Sequence, residues 1–261
     1  MYVLKALIWF MMRLGVFGLC MLLLGCEETS TLETIKKKRF IRVGVFDNVP
    51  PLAYYNQNDE LDGLEIRLAR KIAKDLLGDE KRLELVVISA KDSLSMPLES
   101  GEVDVMIASL IGSQEMRKHI DFASSYIRTP LSVLSHTNQT SSILEFLDAT
   151  LLVRKNTIAA KYIQENYPQI QIRLCENLAY CFEEFQADKN LYFVELRIIA
   201  QAFMRQNPDI HMSIPVLGDE YSLAPAVKKG NTKLLQWLNK EIITLQQEGF
   251  FAQNYEALFL P

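Results

Sequence analysis

Apolar residues recur along the chain with two different spacings. Leu64, Leu68, Ile72 and Leu76 lie four residues apart, which predicts the buried face of a helix that ends at Gly78. Short β-rich runs predict strands at 41–45, 83–88, 103–108, 150–153, 171–174, 191–194, 211–214 and 223–227. Helical spacing predicts further helices at 93–100, 113–119, 157–166, 178–187, 197–206, 234–247 and 250–259. Strands that alternate with helices predict parallel sheets covered by helices, an α/β fold.

This alternation occurs twice, and extended stretches at 130–136 and 215–219 separate the two sets. We expect these stretches to be hinge strands between two lobes. Lobe one would comprise 39–132 plus 220–261, and lobe two would comprise 133–219. Ligands of α/β sheets bind outside the carboxyl ends of the strands, so a cleft between the lobes would bring both sets of strand ends to one ligand.

The N-terminus is typical of a secretory signal. Lys5 and Arg13 are the only charged residues before Glu27, and residues 14–24 are almost entirely apolar. The stretch ends in Leu-Leu-Gly-Cys, which resembles the bacterial lipobox. We therefore predict a signal peptide over 1–25, a lipid on Cys26 and a polar tether over 26–38.

Two other fates of this segment stay open. About 20 apolar residues can span a bilayer, so the segment could be an uncleaved anchor. An ordinary signal cleavage without lipid is the other alternative. Met12 is also a second possible start.

The net charge of the chain does not favour nucleic acid as a partner. Removal of residues 1–25 takes away Lys5 and Arg13, which changes the formal net charge from -4 to -6. An acidic chain with no basic cluster beyond the tether does not favour nucleic-acid binding. The remaining chain of about 235 residues suits one large domain or two small ones.

Two cysteines remain in the folded part. Cys175 and Cys181 are six residues apart, and they would either pair in an oxidising compartment or stay as buried thiols. Together with His119, His136 and His211 they show no metal-ligand spacing. We expect neither a metal nor a cofactor.

Seven short motifs follow one another in a characteristic order. They are IRVGV (41–45), VPPL (49–52), LDGLEI (61–66), GEVDV (101–105), SQEMR (113–117), DFA (121–123, with Tyr126) and EGF (248–250). In this order they resemble the family 3 bacterial solute-binding proteins. The resemblance implies a type II periplasmic-binding-protein fold, in which each lobe is a mostly parallel sheet flanked by helices. The lobes would close on a ligand in the cleft between them and deliver it to a membrane permease.

The resemblance also implies ligand contacts in lobe one. Arg117 matches the arginine that binds the ligand's α-carboxylate, a role that suits the planar guanidinium fork. Ser109 matches a small residue that helps to hold the α-ammonium. The plainer alternatives are a solvated helix arginine and an ordinary strand-end serine.

In lobe two, residues 154–157 match the family's turn before a helix. Thr157 would cap that helix and face the carboxylate, since helix N-termini attract anions. Asn156 takes the place of a glycine and tolerates positive φ. Glu195 would meet the α-ammonium. Capping alone could explain Thr157, and Glu195 could instead pair on the surface with Arg197 or Lys189.

The side-chain pocket would involve Phe46, Val49 and Leu52. Family members that bind acidic amino acids carry basic side chains at the positions of Phe46 and Ser93, and both are uncharged here. An unpartnered ligand carboxylate would be costly to bury. We therefore expect a neutral polar or apolar amino acid rather than aspartate or glutamate. The alternative is that Phe46 points into the core and says nothing about specificity.

These observations together predict a non-enzymatic, exported binding protein. We expect a monomer, anchored by lipid in the periplasm or at the cell surface, that supplies a free amino acid to an ABC permease. Three alternatives remain: a ligand sensor, a degenerate binding lipoprotein and a small dehydratase on the same fold.

Overall fold

The computed structural model describes residues 31–89, 94–137 and 142–259. The predicted signal peptide, Cys26 and Ser93 lie outside these residues. The strands are β1 (Ile41–Val45), β2 (Asn48–Val49), β3 (Ala53–Tyr55), β4 (Leu61–Asp62), β5 (Leu83–Val87), β6 (Val105–Met106), β7 (Ile120–Phe122), β8 (Ile127–Ser135), β9 (Thr150–Arg154), β10 (Gln171–Cys175), β11 (Leu191–Leu196), β12 (His211–Leu223) and β13 (Ala226–Lys228).

The α-helices include the predicted segments, two of them shorter than expected, and one helix that was not predicted. They are α1 (Thr31–Lys38), α2 (Leu64–Leu77), α3 (Met96–Glu99), α4 (Met116–His119), α5 (Ile158–Asn166), α6 (Leu178–Ala187), α7 (Arg197–Gln206), α8 (Thr232–Gln247) and α9 (Phe250–Phe259). Leu64, Leu68 and Ile72 are fully buried along α2, and Gly78 caps that helix in the left-handed conformation. The predicted helix and its stop signal are confirmed.

One five-stranded sheet has the order β5-β1-β6-β13-β7. Strand β1 is parallel to β5 and β6, whereas β13 pairs antiparallel with β6 and β7. The carboxyl ends of β1 and β6 therefore open on the same edge. A small sheet, β2-β3-β4, connects β1 to α2.

The second sheet has the order β10-β9-β11-β8-β12. Strands β9, β10 and β11 are parallel, and each is followed by a helix: α5 and α6 begin after short turns, and α7 begins directly after β11. Arg154 and Leu196 end the neighbouring strands β9 and β11. The side chains at these ends lie at one edge of the second sheet.

Strands β8 and β12 join the two sheets. They pair antiparallel from His211–Ser135 to Leu223–Ile127, with three register shifts. The predicted crossing stretch 215–219 lies inside β12 instead of forming a separate connection, and the strand predicted at 223–227 is divided between β12 and β13. Pro215 is tolerated because β12 is an edge strand, where a missing N–H breaks no ladder.

The predicted polar tether is folded over 31–38. Helix α1 buries Ile35, which is 2% exposed, and Leu32 packs against the same core. Lys233 Nζ on α8 lies 2.7 Å from Glu33 Oε1. The tether prediction did not include this helix, because the lysine run obscured the apolar pair Leu32 and Ile35, which are three residues apart and share a helix face.

A disulfide joins Cys175 at the end of β10 to Cys181 in α6. Both residues are buried, and Asn177 caps α6 between them by accepting from Tyr180 N at 2.9 Å. The bridge holds the start of α6 against the sheet. Helix α6 also contacts β2, which belongs to the other lobe. No helix among the described residues is both long and apolar enough to cross a membrane.

We predict that the double variant Cys175→Ser/Cys181→Ser is less stable by about 2 kcal/mol, the chain entropy that a short disulfide loop removes from the unfolded state. Urea unfolding with and without reductant measures this. Reductant should lower the stability of the wild type and leave the variant unchanged. Equal stability of the wild type and the variant in the absence of reductant would contradict a stabilising role for the bridge.

Candidate ligand-binding cleft

Ser109 follows the third predicted strand of lobe one and turns inward. Its φ of 52° lies in the left-handed region. Its backbone N–H donates to Glu65 Oε1 at 2.8 Å, and its hydroxyl donates to the same oxygen at 2.9 Å. The hydroxyl that was expected to help hold an α-ammonium is therefore engaged inside the protein.

Glu65 is the centre of a buried polar cluster with Ser109 and Tyr126. The Tyr126 hydroxyl donates to the same Oε1 oxygen, while Oε2 has no hydrogen-bond partner among the described residues. Burial raises the pKa of the Glu65 carboxyl, although the three donors act in the opposite direction. Burial and the neighbouring Glu65 also raise the pKa of Tyr126. The cluster fixes the backbone that leads from β6 towards Arg117.

Glu65 and Tyr126 lie in the family motifs, but no role was predicted for either residue. The sequence nevertheless indicated that Glu65 would be buried. Glu65 lies four and seven residues before Ala69 and Ile72, both of which are fully buried. An acid in that helical row is carried into the core and needs donors there.

Arg117 is exposed on α4 and lies beside Gly112 and Phe122. Its guanidinium carbon is 5.0 Å from the centre of the Phe122 ring, a cation–π arrangement. A Cβ on Gly112 would lie 2.6 Å from Arg117 Nη2 and 2.9 Å from Cζ, so an alanine there would require the guanidinium to shift. None of the described carboxylates pairs with Arg117. The guanidinium is held in place with its charge unmatched.

The turn after β9 presents a helix N-terminus at the edge of lobe two. Asn156 has a φ of 59°, as its place in a glycine position suggested. Thr157 Oγ1 accepts from Ala160 N at 3.3 Å, which confirms that Thr157 caps α5. The same hydroxyl donates to the Arg154 carbonyl at 2.6 Å. The hydroxyl is thus used locally, and an anion would meet the free N–H groups of the first turn instead.

Glu195 is not the free acid that the resemblance implied. Its Oε2 lies 3.0 Å from Arg154 Nη2, and its Oε1 accepts from Leu196 N at 2.8 Å. The expected surface partners, Arg197 and Lys189, are not the ones it has. The strand end turns this side chain inward against a neighbouring strand, and contact with a ligand α-ammonium stays a prediction.

Two of the three expected pocket residues belong to the core. Leu52 is fully buried and Val49 is 3% exposed, so neither offers side-chain surface to a ligand. The Leu52 carbonyl instead accepts from Glu65 N at 2.8 Å. Phe46 is half-buried and packs against both hydrophobic clusters of the described residues, so part of its ring remains available.

The described structure therefore has two sheets whose strand ends carry a free arginine, a helix N-terminus and a half-buried aromatic ring. A family model for bacterial extracellular solute-binding proteins, family 3, matches residues 41–261. The chain belongs to this family. The predicted two-lobed, type II periplasmic-binding-protein fold is confirmed.

Other members of family 3 show how far the likeness extends. A cysteine-binding protein from Campylobacter jejuni is 31% identical, with a TM-score of 0.78 over 88% of this chain and 92% of its own. A solute receptor for L-cysteine from Neisseria gonorrhoeae is also 31% identical, with a TM-score of 0.78 over 88% and 94%. The glutamine-binding protein GlnH of Bacillus subtilis is 26% identical over 88% of this chain and 85% of its own.

A separate cavity of about 220 Å³ lies at the opposite edge of lobe one, beneath α1. Arg42 and Asp104 line it, and their side chains pair with each other at 2.9 Å. It lies where β1 and β6 begin and therefore belongs to a different face from the strand ends that a family 3 ligand would meet. The described residues contain no group of three or more side chains suited to hold a metal.

We predict that Glu65→Gln flattens the pH dependence of stability. Because the folded pKa of Glu65 is raised, the stabilisation from its protonated form is complete below about pH 4.5 and is lost as pH rises through the folded pKa. The amide keeps the acceptor oxygen but cannot lose a proton. Unfolding free energies between about pH 5 and 8 should fall less steeply in the variant than in the wild type.

Glu183→Gln is the matched control, because it removes an exposed carboxylate from α6. Its pH profile should follow that of the wild type. Parallel profiles for wild type and Glu65→Gln would mean that Glu65 does not titrate differently in the folded and unfolded states.

Proposed function

We propose that this chain is the substrate-binding component of an ABC importer for a free amino acid with an uncharged side chain. The two lobes close on the ligand, and the closed form delivers it to the permease. The observation that carries the proposal is Arg117, an exposed guanidinium that lies against Phe122 beside Gly112 and pairs with no carboxylate of residues 31–89, 94–137 and 142–259. Such a group suits bidentate binding of an α-carboxylate.

Lobe two offers a second binding group for the ligand's α-carboxylate. The first turn of α5, capped by Thr157 and preceded by Asn156, offers unpaired N–H groups and the positive end of the helix dipole. Arg117 and this turn follow strand ends in different lobes. Simultaneous contact with both would favour the closed form, since a ligand shifts the equilibrium by its differential affinity.

An uncharged ligand side chain agrees with the residues near the strand ends. Phe46 offers apolar ring surface, and burying a second carboxylate against it would be unfavourable. The relatives from Bacillus subtilis, Campylobacter jejuni and Neisseria gonorrhoeae are named for glutamine, cysteine and cysteine, whose side chains are uncharged. We infer capture without chemical conversion by a monomer.

The family points to an exported protein. We further propose that Cys26 carries a lipid that keeps the binding protein at the membrane. The apolar run at 14–24 and the following Gly25-Cys26 support this.

We expect the purified wild type to be stabilised by one or a few amino acids. A ligand at 100 times its dissociation constant adds about 2.7 kcal/mol to the stability. Arg117→Ala should weaken binding about a hundredfold or more, because two charge-assisted hydrogen bonds are lost. Titration calorimetry measures both effects.

Lys118→Ala is the matched control, since Lys118 is an exposed cation on the same helix and pairs with Glu115. It should bind like the wild type. Gly112→Ala should weaken binding about tenfold by displacing the guanidinium, and it should cost nothing further when Arg117 is already alanine. Equal affinities for wild type and Arg117→Ala would remove the basis of the proposal.

Cys26→Ser tests the anchor. The wild type should partition into detergent after cell fractionation, and the variant should lose this behaviour if lipid is the only attachment. Recovery of both proteins with the membrane would favour an uncleaved apolar anchor, and recovery of both in the aqueous phase would favour ordinary cleavage.

A further inference from the structure

Arg154 and Glu195 form an ion pair at the strand ends of lobe two. Their strands, β9 and β11, are parallel neighbours, and Arg154 Nη2 lies 3.0 Å from Glu195 Oε2. The two side chains differ in access. The Glu195 side chain is 2% exposed, whereas the Arg154 side chain is 20% exposed. The anion is buried, and the cation reaches the edge where ligands of this fold bind.

The pair is close but not fully satisfied. Glu195 Oε1 accepts from Leu196 N at 2.8 Å. Glu195 Oε2 and Arg154 Nε are both buried without a hydrogen-bond partner among the described residues. A guanidinium carries five N–H donors, and the single contact with Glu195 leaves donors of Arg154 for another acceptor.

Lys155, the next residue on the same turn, differs from Arg154 in that its ion pair is exposed to water. Lys155 pairs with Glu176, and both side chains are largely exposed. Water screens that pair. Arg154 is held by a carboxylate that water cannot reach, so its charge is compensated from inside the lobe.

This compensation distinguishes acidic from neutral ligand groups. An uncharged acceptor gains the hydrogen bonds of Arg154 and is little affected by the carboxylate behind it. A ligand carboxylate gains the same hydrogen bonds but is repelled by Glu195. Inside a protein such a charge acts through an effective dielectric constant of about 20, so the repulsion over a few ångströms changes affinity by a factor of ten or more.

We propose that Arg154 contacts the side chain of the bound amino acid and that Glu195 sets the preference for an uncharged side chain by neutralising Arg154. Glu195 is then a specificity-determining residue that acts through Arg154 and not the acceptor of the α-ammonium. This inference rests on the proposed function, because it requires an amino acid in the cleft.

The test compares two pairs of nearly isosteric ligands, glutamine with glutamate and asparagine with aspartate, together with cysteine. Titration calorimetry on the full protein gives the ratio of affinities for acidic and neutral ligands. The wild type should prefer a neutral ligand. Glu195→Gln removes the buried charge and should raise the acidic-to-neutral ratio at least tenfold.

Two further variants separate this role from a structural one. Arg154→Met/Glu195→Gln removes both charges together, so no unpaired ion is left buried, and it should lose the gain for acidic ligands. Glu184→Gln removes the carboxylate that lies 3.2 Å from Arg173 elsewhere in lobe two, and it should leave the ratio unchanged.

The outcomes are distinct. A uniform loss of affinity for all amino acids in Glu195→Gln, with the ratio unchanged, would overturn the inference and return Glu195 to the α-ammonium. A wild type that prefers glutamate or aspartate would overturn it as well. Failure of the wild type to bind any amino acid would instead overturn the proposed function.

Discussion

The antiparallel pairing of β8 with β12 is the constraint on which the rest of the structure depends. These strands pair with each other along their length and join the sheet that holds β1 to the sheet that holds β9. Register shifts in β12 bend it, as extra residues do in any antiparallel pair. Gly218, at a φ of 71°, leaves room for the ring of Tyr162 on α5. The linked sheets can then present their strand ends to one cleft.

Two buried glutamates show how differently the lobes use an acid. Glu65 is surrounded by neutral donors, so burial dominates and raises its pKa. Glu195 instead forms an ion pair with Arg154, whose guanidinium compensates its charge. The first acid organises the backbone behind Arg117, whereas the second modifies a cation at the cleft. Neither lies free at the surface, although sequence patterns alone suggested a free acid in lobe two.

The fold could be predicted because its signals are local. The four-residue spacing along α2 and the Gly78 stop define that helix within one short stretch. The continuity of β12 through Pro215 could not be predicted, because a proline is acceptable only once the strand is known to lie at an edge. Helix α1 was missed for a related reason: Ile35 becomes a core residue only through packing against distant parts of the chain.

The site was predictable only where one residue carries the chemistry. Arg117 was proposed from its motif and stays a prediction, whereas Thr157 was predicted as a cap from its place before a helix and is confirmed as one. The partners of Ser109 and Glu195 are 44 and 41 residues away, so spacing along the sequence gave no sign of them. Leu52 and Val49 lie in the right loop but point into the core.

The charge balance of the two lobes follows from these contacts. Arg117 in lobe one pairs with no carboxylate among the described residues, whereas Arg154 in lobe two pairs with the buried Glu195. Closing the lobes would place one uncompensated cation in a site of low dielectric constant, where an unmatched charge is costly. A ligand α-carboxylate paired with Arg117 lowers that cost. In the proposed cleft, Arg117 is therefore the cation that needs a ligand carboxylate, whereas the charge of Arg154 is already compensated from inside lobe two.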